Sequence, residues 1–303
     1  MKLVYKEKYL KRIIKALFNV LPFRYIVIMV DGGIASQINK LTIGFYFADK
    51  YKDKVKILYD TDWYRNCGMD IDGVNARKYE INKMYPDIRI RETGKFIKFI
   101  TKCIYRHTTG WPDTYESVDD ILLDHMYIDG YEYKIPLETR KYIFEKYLYK
   151  RVDTAVLNQD NLNILSQIRH SRNSIGVHVR RGDMARNSAI YYITPKNYFI
   201  KVMSDPKFSD STFFVFSDDI KWVKEELVPF IQNRNIIVVD INGIDNGYSD
   251  LYLCSECNII VSSQGSMAKF AAMLSNNENT ILICPRNNGE DGDDVYWGQI
   301  LYY

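Results

Sequence analysis

From residue 174 onward the chain alternates short apolar runs with helical stretches, and few architectures accept that rhythm. The runs are Ile175 to Val179, Phe213-Phe214-Val215-Phe216, Ile236-Ile237-Val238-Val239-Asp240, Asn258-Ile259-Ile260-Val261 and Thr280-Ile281-Leu282-Ile283-Cys284-Pro285. Between them lie helical patterns: about Lys196 to Met203, a segment carrying Trp222 and Val223, Asp250 to Cys257, and Met267 to Leu274. Thr194 is expected to cap the first of these, with Pro195 at its first position. Nearly unbroken Val, Ile and Phe runs suit strands covered on both faces, and strands separated by helices pair in parallel through crossovers. The pattern predicts a doubly wound α/β sheet.

The same rhythm opens the chain once. Tyr25-Ile26-Val27-Ile28-Met29-Val30 reads as a strand that ends at Asp31-Gly32-Gly33. Ala35 to Tyr51 then carries Ile38, Leu41, Phe45 and Ala48 at helical spacing, and Val55 to Tyr59 is a second strand, so residues 25–59 form a βαβ unit. The paired glycines let a ligand approach the backbone, but no dinucleotide-binding glycine fingerprint follows. Residues 60–150 carry little strand signal and read as short helices and loops, with turns near Asn66-Cys67-Gly68, Tyr85-Pro86 and Gly110-Trp111-Pro112. Leu137 to Lys150 and Asn161 to Arg169 are helical patterns, the second with Asp160 as its expected N-cap. The polar stretch between Arg151 and Asn173 divides the chain into domains 1–165 and 166–303, the last residues being candidates to cross back.

In a doubly wound sheet, ligands bind beyond the carboxyl ends of the strands. Three polar clusters fall there: His178-Val179-Arg180-Arg181-Gly182-Asp183, Ser217-Asp218-Asp219 and Ser262-Ser263-Gln264-Gly265-Ser266. Two guanidiniums, an imidazole and a carboxylate within six residues are costly to bury unless they bind something, and guanidiniums grip a diphosphate bidentately. Read singly, each cluster is also what a salt-bridged strand end or a helix cap looks like. Three on one rim are harder to explain that way.

The 303 residues can bury two ordinary cores, and 47% hydrophobic with 26% charged residues are globular values. A net charge of +3 does not argue for nucleic acid. The 14% aromatic share suits sugar stacking and equally an ordinary tyrosine-rich core. The five cysteines are scattered, and Cys254 and Cys257 have C-x-x-C spacing without a second pair or a histidine cluster. They read as helix core positions in a reducing, cytoplasmic compartment. No apolar run is long enough to span a membrane. Residues 1–20, however, form a basic amphipathic helix (Lys2, Lys6, Lys8, Lys11, Arg12 and Lys15 among Leu10, Ile13, Ile14, Leu17 and Phe18), which suits either peripheral contact with an anionic inner-membrane surface or packing on its own domain.

His178-Val179-Arg180-Arg181-Gly182-Asp183 resembles the H-x-R-R-x-D motif of the α-1,2-fucosyltransferases, glycosyltransferase family 11, and is similar to that of the α-1,6- and protein O-fucosyltransferases. Phe216-Ser217-Asp218-Asp219 with Trp222, Asp250 to Ser255, and Asn258-Ile259-Ile260 look like the family's later blocks in order and spacing. Asp31-Gly32-Gly33-Ile34-Ala35-Ser36-Gln37 stands where members carry G-G-L-G-N-Q, with Ala35 and Ser36 replacing glycine and asparagine. Ser262-Ser263-Gln264 looks more like the α-1,6 branch than the usual N-S-S-F-S-W-W block.

The resemblance implies a glycosyltransferase-B fold, two Rossmann-like domains facing across a cleft. It implies an inverting transferase acting on GDP-L-fucose and a galactose-type hydroxyl of a glycan, with no cofactor and no essential metal. By the same resemblance Arg180 holds the diphosphate, and Arg181 and Asp183 orient it or reach the sugar. His178 and Asp250 lie along the guanosine, Ser217 and Asp218 near the nucleoside, and Ser262, Ser263 and Gln264 on phosphate oxygens. Gly32 and Gly33 line the acceptor side, and the base is Asp31 or Asp183. On metal the residues are read the same way: the Asp-x-Asp spelling Asp70-Ile71-Asp72 lies in a loop-like stretch with no preceding strand. A transferase using another GDP-sugar and a non-catalytic nucleotide-binding protein are the alternatives.

Overall fold

The computed structural model describes residues 2–66, 68–69, 73, 76–108, 124–129, 135–148, 155, 157–189, 191–286 and 296–303, without the side chains of 2–8, 106–108 and 244. The expected turns at 66–68 and 110–112, the Asp70-Ile71-Asp72 triplet and part of the expected boundary stretch fall wholly or partly outside these residues. Two compact units emerge. One comprises Met1–Asp31, Asn39–Asn66 and Arg89–Pro136; the other comprises Gly32–Ile38, Cys67–Ile88 and Leu137–Tyr303. The division therefore does not follow a single cut at residue 165.

The first unit holds a four-stranded parallel sheet. Its strands are β1 (Arg24–Met29), β2 (Val55–Asp60), β3 (Arg106–Thr108) and β4 (Met126–Ile128), in the order β2-β1-β4-β3. The βαβ expectation holds, with the helix running over Ile34–Tyr51. β3 and β4 are strands that the periodicity of residues 60–150 does not reveal. At three residues each, they are too short to show an alternation.

Among the described residues the second unit holds six strands: β5 (Ser174–Val179), β6 (Thr212–Ser217), β7 (Asn235–Val238), β8 (Ile259–Val261), β9 (Ile281–Cys284) and β10 (Gln299–Tyr302). All pair in parallel in the order β10-β9-β8-β5-β6-β7. The chain leaves β5 in one direction through β6 and β7, then returns to build β8, β9 and β10 on the other side. The gap between the ends of β5 and β8 is thus the topological switch point, where such sheets bind ligands. β10 closes the far edge of this sheet, so residues 299–302 do not cross back to the first.

Ile175, Val177 and Val179 of β5 share one buried core with Val215, Val261 and Ile283 and with Phe199, Val202 and Met203 of the Lys196–Met203 helix. Burying these branched side chains at about 25 cal/mol per Å² is what holds the helix on that face. On the opposite face a Cβ at Gly176 would lie 3.1 Å from both Cys254 and Cys257 sulfurs. The C-x-x-C pair is therefore packing, as its helical position suggested. Two expected caps are corrected. Asn158, not Asp160, accepts the Asn161 N–H at the head of Gln159–His170. Pro195 occupies the cap of Lys196–Met203 and offers no side-chain bond, because Thr194 is turned to Gln264.

Candidate active site

β5 delivers His178 buried at its end, and the chain then turns outward through Arg180 and Arg181 into the short helix Gly182–Arg186. Burial first, and the charge of Arg180 second, push the His178 imidazole down to about 3, so it is neutral. One strand away, β6 ends in Ser217-Asp218-Asp219. The Ser217 hydroxyl donates to the Val179 carbonyl at 2.8 Å, which ties the two strand ends together.

Asp218 is the hub. Its Oδ1 accepts the backbone N–H groups of Arg181 (2.8 Å) and Gly182 (3.0 Å), and its Oδ2 takes the Arg180 guanidinium. The other arm of Arg180 pairs with Asp183, which is 3% exposed and also accepts the Met184 N–H. A fork gripped by two carboxylates is fixed in one orientation. Gly182 is required by this clamp. A Cβ there would lie 2.5 Å from Asp218 Oδ2 and 2.8 Å from its Cγ, forcing the carboxylate out.

From the other side of β5 the end of β8 supplies Ser262, Ser263 and Gln264, all buried. Ser263 Oγ accepts the Arg180 N–H at 2.9 Å, and Gln264 Nε2 donates to the Arg180 carbonyl at 2.9 Å. Gln264 Oε1 accepts from Thr194 N–H at 2.8 Å and from its hydroxyl, while Ser262 Oγ donates to the Ser263 carbonyl. The three polar clusters are thus one structure. The Ser-Ser-Gln block holds the backbone of Arg180, and the Ser-Asp-Asp block holds its side chain.

Arg181 differs. Its guanidinium stacks on Trp222 at 3.9 Å from the ring centroid, and its Nε lies 3.5 Å from Asp219 Oδ2. That Nε is nonetheless buried without a hydrogen-bond partner. A buried N–H of this kind costs about 1–3 kcal/mol unless something accepts from it.

Asp250 sits in the helix Gly247–Ser255 and accepts from Asn242 Nδ2 at 2.8 Å, with Asn242 in turn paired to Asn161. Burial, opposed by the Asn242 bond and reinforced by the charge of Glu80, pushes the Asp250 carboxyl up to about 7. Glu80 carries no sequence signal as a site residue. It is 3% exposed and accepts from the Gly247 and Tyr248 amides at the head of that same helix. Its Oε1 has no hydrogen-bond partner, and burial pushes its carboxyl up to about 7.

Gly32, at φ +70°, makes the turn that only glycine adopts easily, and a Cβ on Gly33 would meet nothing within 4 Å. Fully buried Gln37 wires this turn to Glu80. Its Nε2 donates to the carbonyls of Gly32 (3.2 Å) and Lys78 (2.8 Å), and its Oε1 accepts from Glu80 N–H (2.8 Å) and Ile81 N–H (3.2 Å).

In the first unit Asp31, just past β1, lies 3.8 Å from the ammonium of fully buried Lys40. Burial pulls that lysine below its ordinary range against the attraction of Asp31 and Asp129. Asp60, at the end of β2, accepts from the Tyr127 hydroxyl at 2.6 Å and pairs with Lys98 at 2.5 Å. Burial would raise its carboxyl, but the donors from Lys98, Tyr127 and Asp62 N–H outweigh it and hold it low. Asp60, Lys98, Glu80 and Gln37 are the polar groups that sequence reasoning passed over as site residues.

The model of glycosyl transferase family 11 matches residues 80–293. The chain is 23% identical over 281 residues to an alpha-1,2-colitosyltransferase of Escherichia coli, covering 86% of this chain and 91% of that protein. Among solved structures it is similar to fucosyltransferase NodZ from Bradyrhizobium, with a TM-score of 0.51 at 12% identity over 84% of this chain and 93% of that one. That likeness is one of fold alone: an α/β glycosyltransferase-B architecture with Rossmann-like parallel sheets.

Proposed function

Because the chain belongs to glycosyltransferase family 11, we propose that it is an inverting, metal-independent fucosyltransferase. It moves L-fucose from GDP-L-fucose to a galactose-type hydroxyl of an oligosaccharide or cell-surface polysaccharide, in α-1,2 linkage. The observation that carries this reading is the buried, unsatisfied Nε of Arg181 beside an Arg180 locked by two carboxylates, at the switch point of a parallel sheet.

The chemistry follows from what those groups can do. As the bond between the sugar's anomeric carbon and the diphosphate breaks, negative charge grows on the departing oxygen. Fixed guanidiniums stabilise it there without reorganising, the work a metal ion does in other transferases. Arg181 supplies an Nε–H that nothing in the protein accepts, and Arg180 adds charge in a set orientation. Ser262, Ser263 and Gln264 then act through Arg180 as positioning residues, a different duty from direct contact with phosphate oxygens.

The acceptor hydroxyl attacks from the opposite face and gives its proton to a carboxylate. Asp183, 3% exposed, is committed to Arg180 and to Met184 N–H; Asp31, paired with Lys40 but with its side chain 13% exposed, is the base in this reading. Asp250, when ionised, accepts from the N–H groups of guanine. Neutral His178 packs beside the donor, and Gly32 and Gly33 leave room on the acceptor side.

A second donor deserves a place because the Escherichia coli relative is named for colitose, a sugar that lacks the 3-hydroxyl of fucose. A site that hydrogen-bonds this hydroxyl rejects the deoxy analogue by about 10⁴-fold, whereas an apolar pocket tolerates both. Transfer from GDP-fucose, GDP-colitose and GDP-mannose to galactose-terminated oligosaccharides, run in excess EDTA with linkage analysis of the product, decides between them. We expect α-1,2 transfer from GDP-fucose at full rate. Preference for GDP-colitose selects the second donor, a strict metal requirement overturns the arginine-based mechanism, and GDP binding without turnover makes the protein a nucleotide binder.

A further inference from the structure

Large apolar side chains exposed to solvent are not scattered over this protein. Twelve are exposed among the described residues, and seven of them fall in residues 9–20 and 96–99: Tyr9, Leu10, Ile13, Leu17, Val20, Phe96 and Phe99. Leu17 is 64% exposed and Val20 79%. At about 100° per residue, Tyr9, Leu10, Ile13, Leu17 and Val20 fill one continuous arc of the N-terminal helix Lys2–Asn19 and its first following residue. The opposite arc is the packed one. Phe18 lies 6.1 Å from Phe96, 6.3 Å from Tyr25 and 5.6 Å from His125, ring centroid to centroid. The contact with Phe96 packs the helix Lys95–Phe99, which carries exposed Phe96 and Phe99, against the N-terminal helix.

Charge borders this apolar strip. By sequence the helix holds six basic residues, Lys2, Lys6, Lys8, Lys11, Arg12 and Lys15, and one acid, Glu7. Arg12 is exposed on the flank of the apolar arc, and Lys95 is exposed beside Phe96. No helix among the described residues is long and apolar enough to cross a membrane.

We propose that the exposed arc of the N-terminal helix, with Phe96 and Phe99 beside it, docks the protein on an anionic bilayer surface, the helix lying in the headgroup plane with its basic flank on the lipid phosphates. A strip of this composition inserts shallowly at the acyl boundary while lysine and arginine stay at headgroup level. A second copy of the chain fits the surface less well. A two-fold pairing would set the same cation-rich strip against itself, six basic residues to one acid on each side. The inference is independent of which sugar the protein transfers.

Vesicle flotation tests it with the full chain and two vesicle types, pure phosphatidylcholine and phosphatidylcholine with 30% phosphatidylglycerol (a composition on the order of that used to mimic anionic leaflets). We expect binding to the anionic vesicles only, with release in high salt. Each basic residue near such a surface contributes about fivefold in affinity, so Arg12→Ala with Lys95→Ala should weaken binding by about 25-fold. Leu10→Ser with Ile13→Ser and Leu17→Ser should abolish it, while circular dichroism and GDP binding stay unchanged. No binding to either vesicle, or equal binding to both, overturns the proposal. So does a concentration-dependent dimer that the serine variant dissolves, since the face would then belong to a second copy.

Discussion

Arg181 and its neighbour Arg180 look interchangeable in the sequence, yet their side chains have opposite situations. The first sits stacked on Trp222 with a buried N–H left over; the second is neutralised by Asp183 and Asp218. If Arg181 supplies donors to the leaving diphosphate, its loss removes stabilisation that grows in the transition state. Arg181→Ala should therefore lower kcat by about 10²–10³, or roughly 3–4 kcal/mol. The stacking on Trp222 contributes only about 1 kcal/mol, so thermal stability should change little. Steady-state kinetics beside a melting curve checks both, and a folded variant with near-normal kcat removes Arg181 from the mechanism. Asp183 illustrates the limit of reading residues singly. A carboxylate two residues past a pair of arginines looks like a base; in the structure it is buried and paired with Arg180, which in the proposed mechanism makes it a support.

At the scale of elements, the Ile34–Tyr51 helix does more than cross over between β1 and β2. Its first turn carries Gln37, whose amide makes four hydrogen bonds to the Gly32 turn and to residues 78–81. The latter segment carries Glu80 to the head of the Gly247–Ser255 helix that bears Asp250. An amide is the only ordinary side chain that offers two donors and a two-lone-pair acceptor at this reach. Gln37→Leu fills the same space but strands two buried N–H and two carbonyl groups. At about 1–3 kcal/mol for each group left unsatisfied, partly relieved by relaxation, a loss of roughly 3–5 kcal/mol in unfolding free energy is expected. Urea denaturation reads it directly. A loss under about 1 kcal/mol would mean that backbone or water takes over the four bonds and that the wiring is incidental.

Over the whole molecule, the same pair of carboxyls sets a pH dependence of stability. Glu80 and Asp250 are both raised to about 7 in the folded chain from ordinary values of 4.5 and 3.8. Between those values and 7 the folded state binds more protons than the unfolded state, so unfolding free energy falls as pH rises. The contribution is fully present near pH 4 and is lost as pH climbs through 7. We expect about 5 kcal/mol less stability at pH 8 than at pH 5 from this pair, roughly half from each group. Glu80→Gln keeps an oxygen for the Gly247 and Tyr248 amides and places a donor where Oε1 has no partner. It should flatten the dependence and raise the melting temperature at pH 8. Calorimetric scans at the two pH values test this, and a variant that is less stable at pH 8 contradicts it.

Much of this molecule was legible in the sequence because strand runs such as Phe213 to Phe216 and Ile281 to Cys284 are long enough to declare their burial on both faces. Their alternation with helices left only a parallel doubly wound sheet, and its rule of ligand binding at strand ends pointed to 178–183, 217–219 and 262–266 before any coordinate. The three-residue strands β3 and β4 and the edge strand β10 were not legible, since so few residues cannot set a period and edge strands are selected by what they pair with. The caps misread for the same reason of locality: Asp160 and Thr194 are good cap types, but Asn158 and Pro195 hold the cap positions. What only the tertiary structure decided is partnership. Which carboxylate neutralises Arg180, which N–H of Arg181 goes unmet, and that Gln37 reaches Glu80 across more than forty residues of chain depend on distances between segments. Residue type and spacing do not encode those distances, because hydrogen bonds and ion pairs act over a few ångströms in space, whatever the separation along the chain.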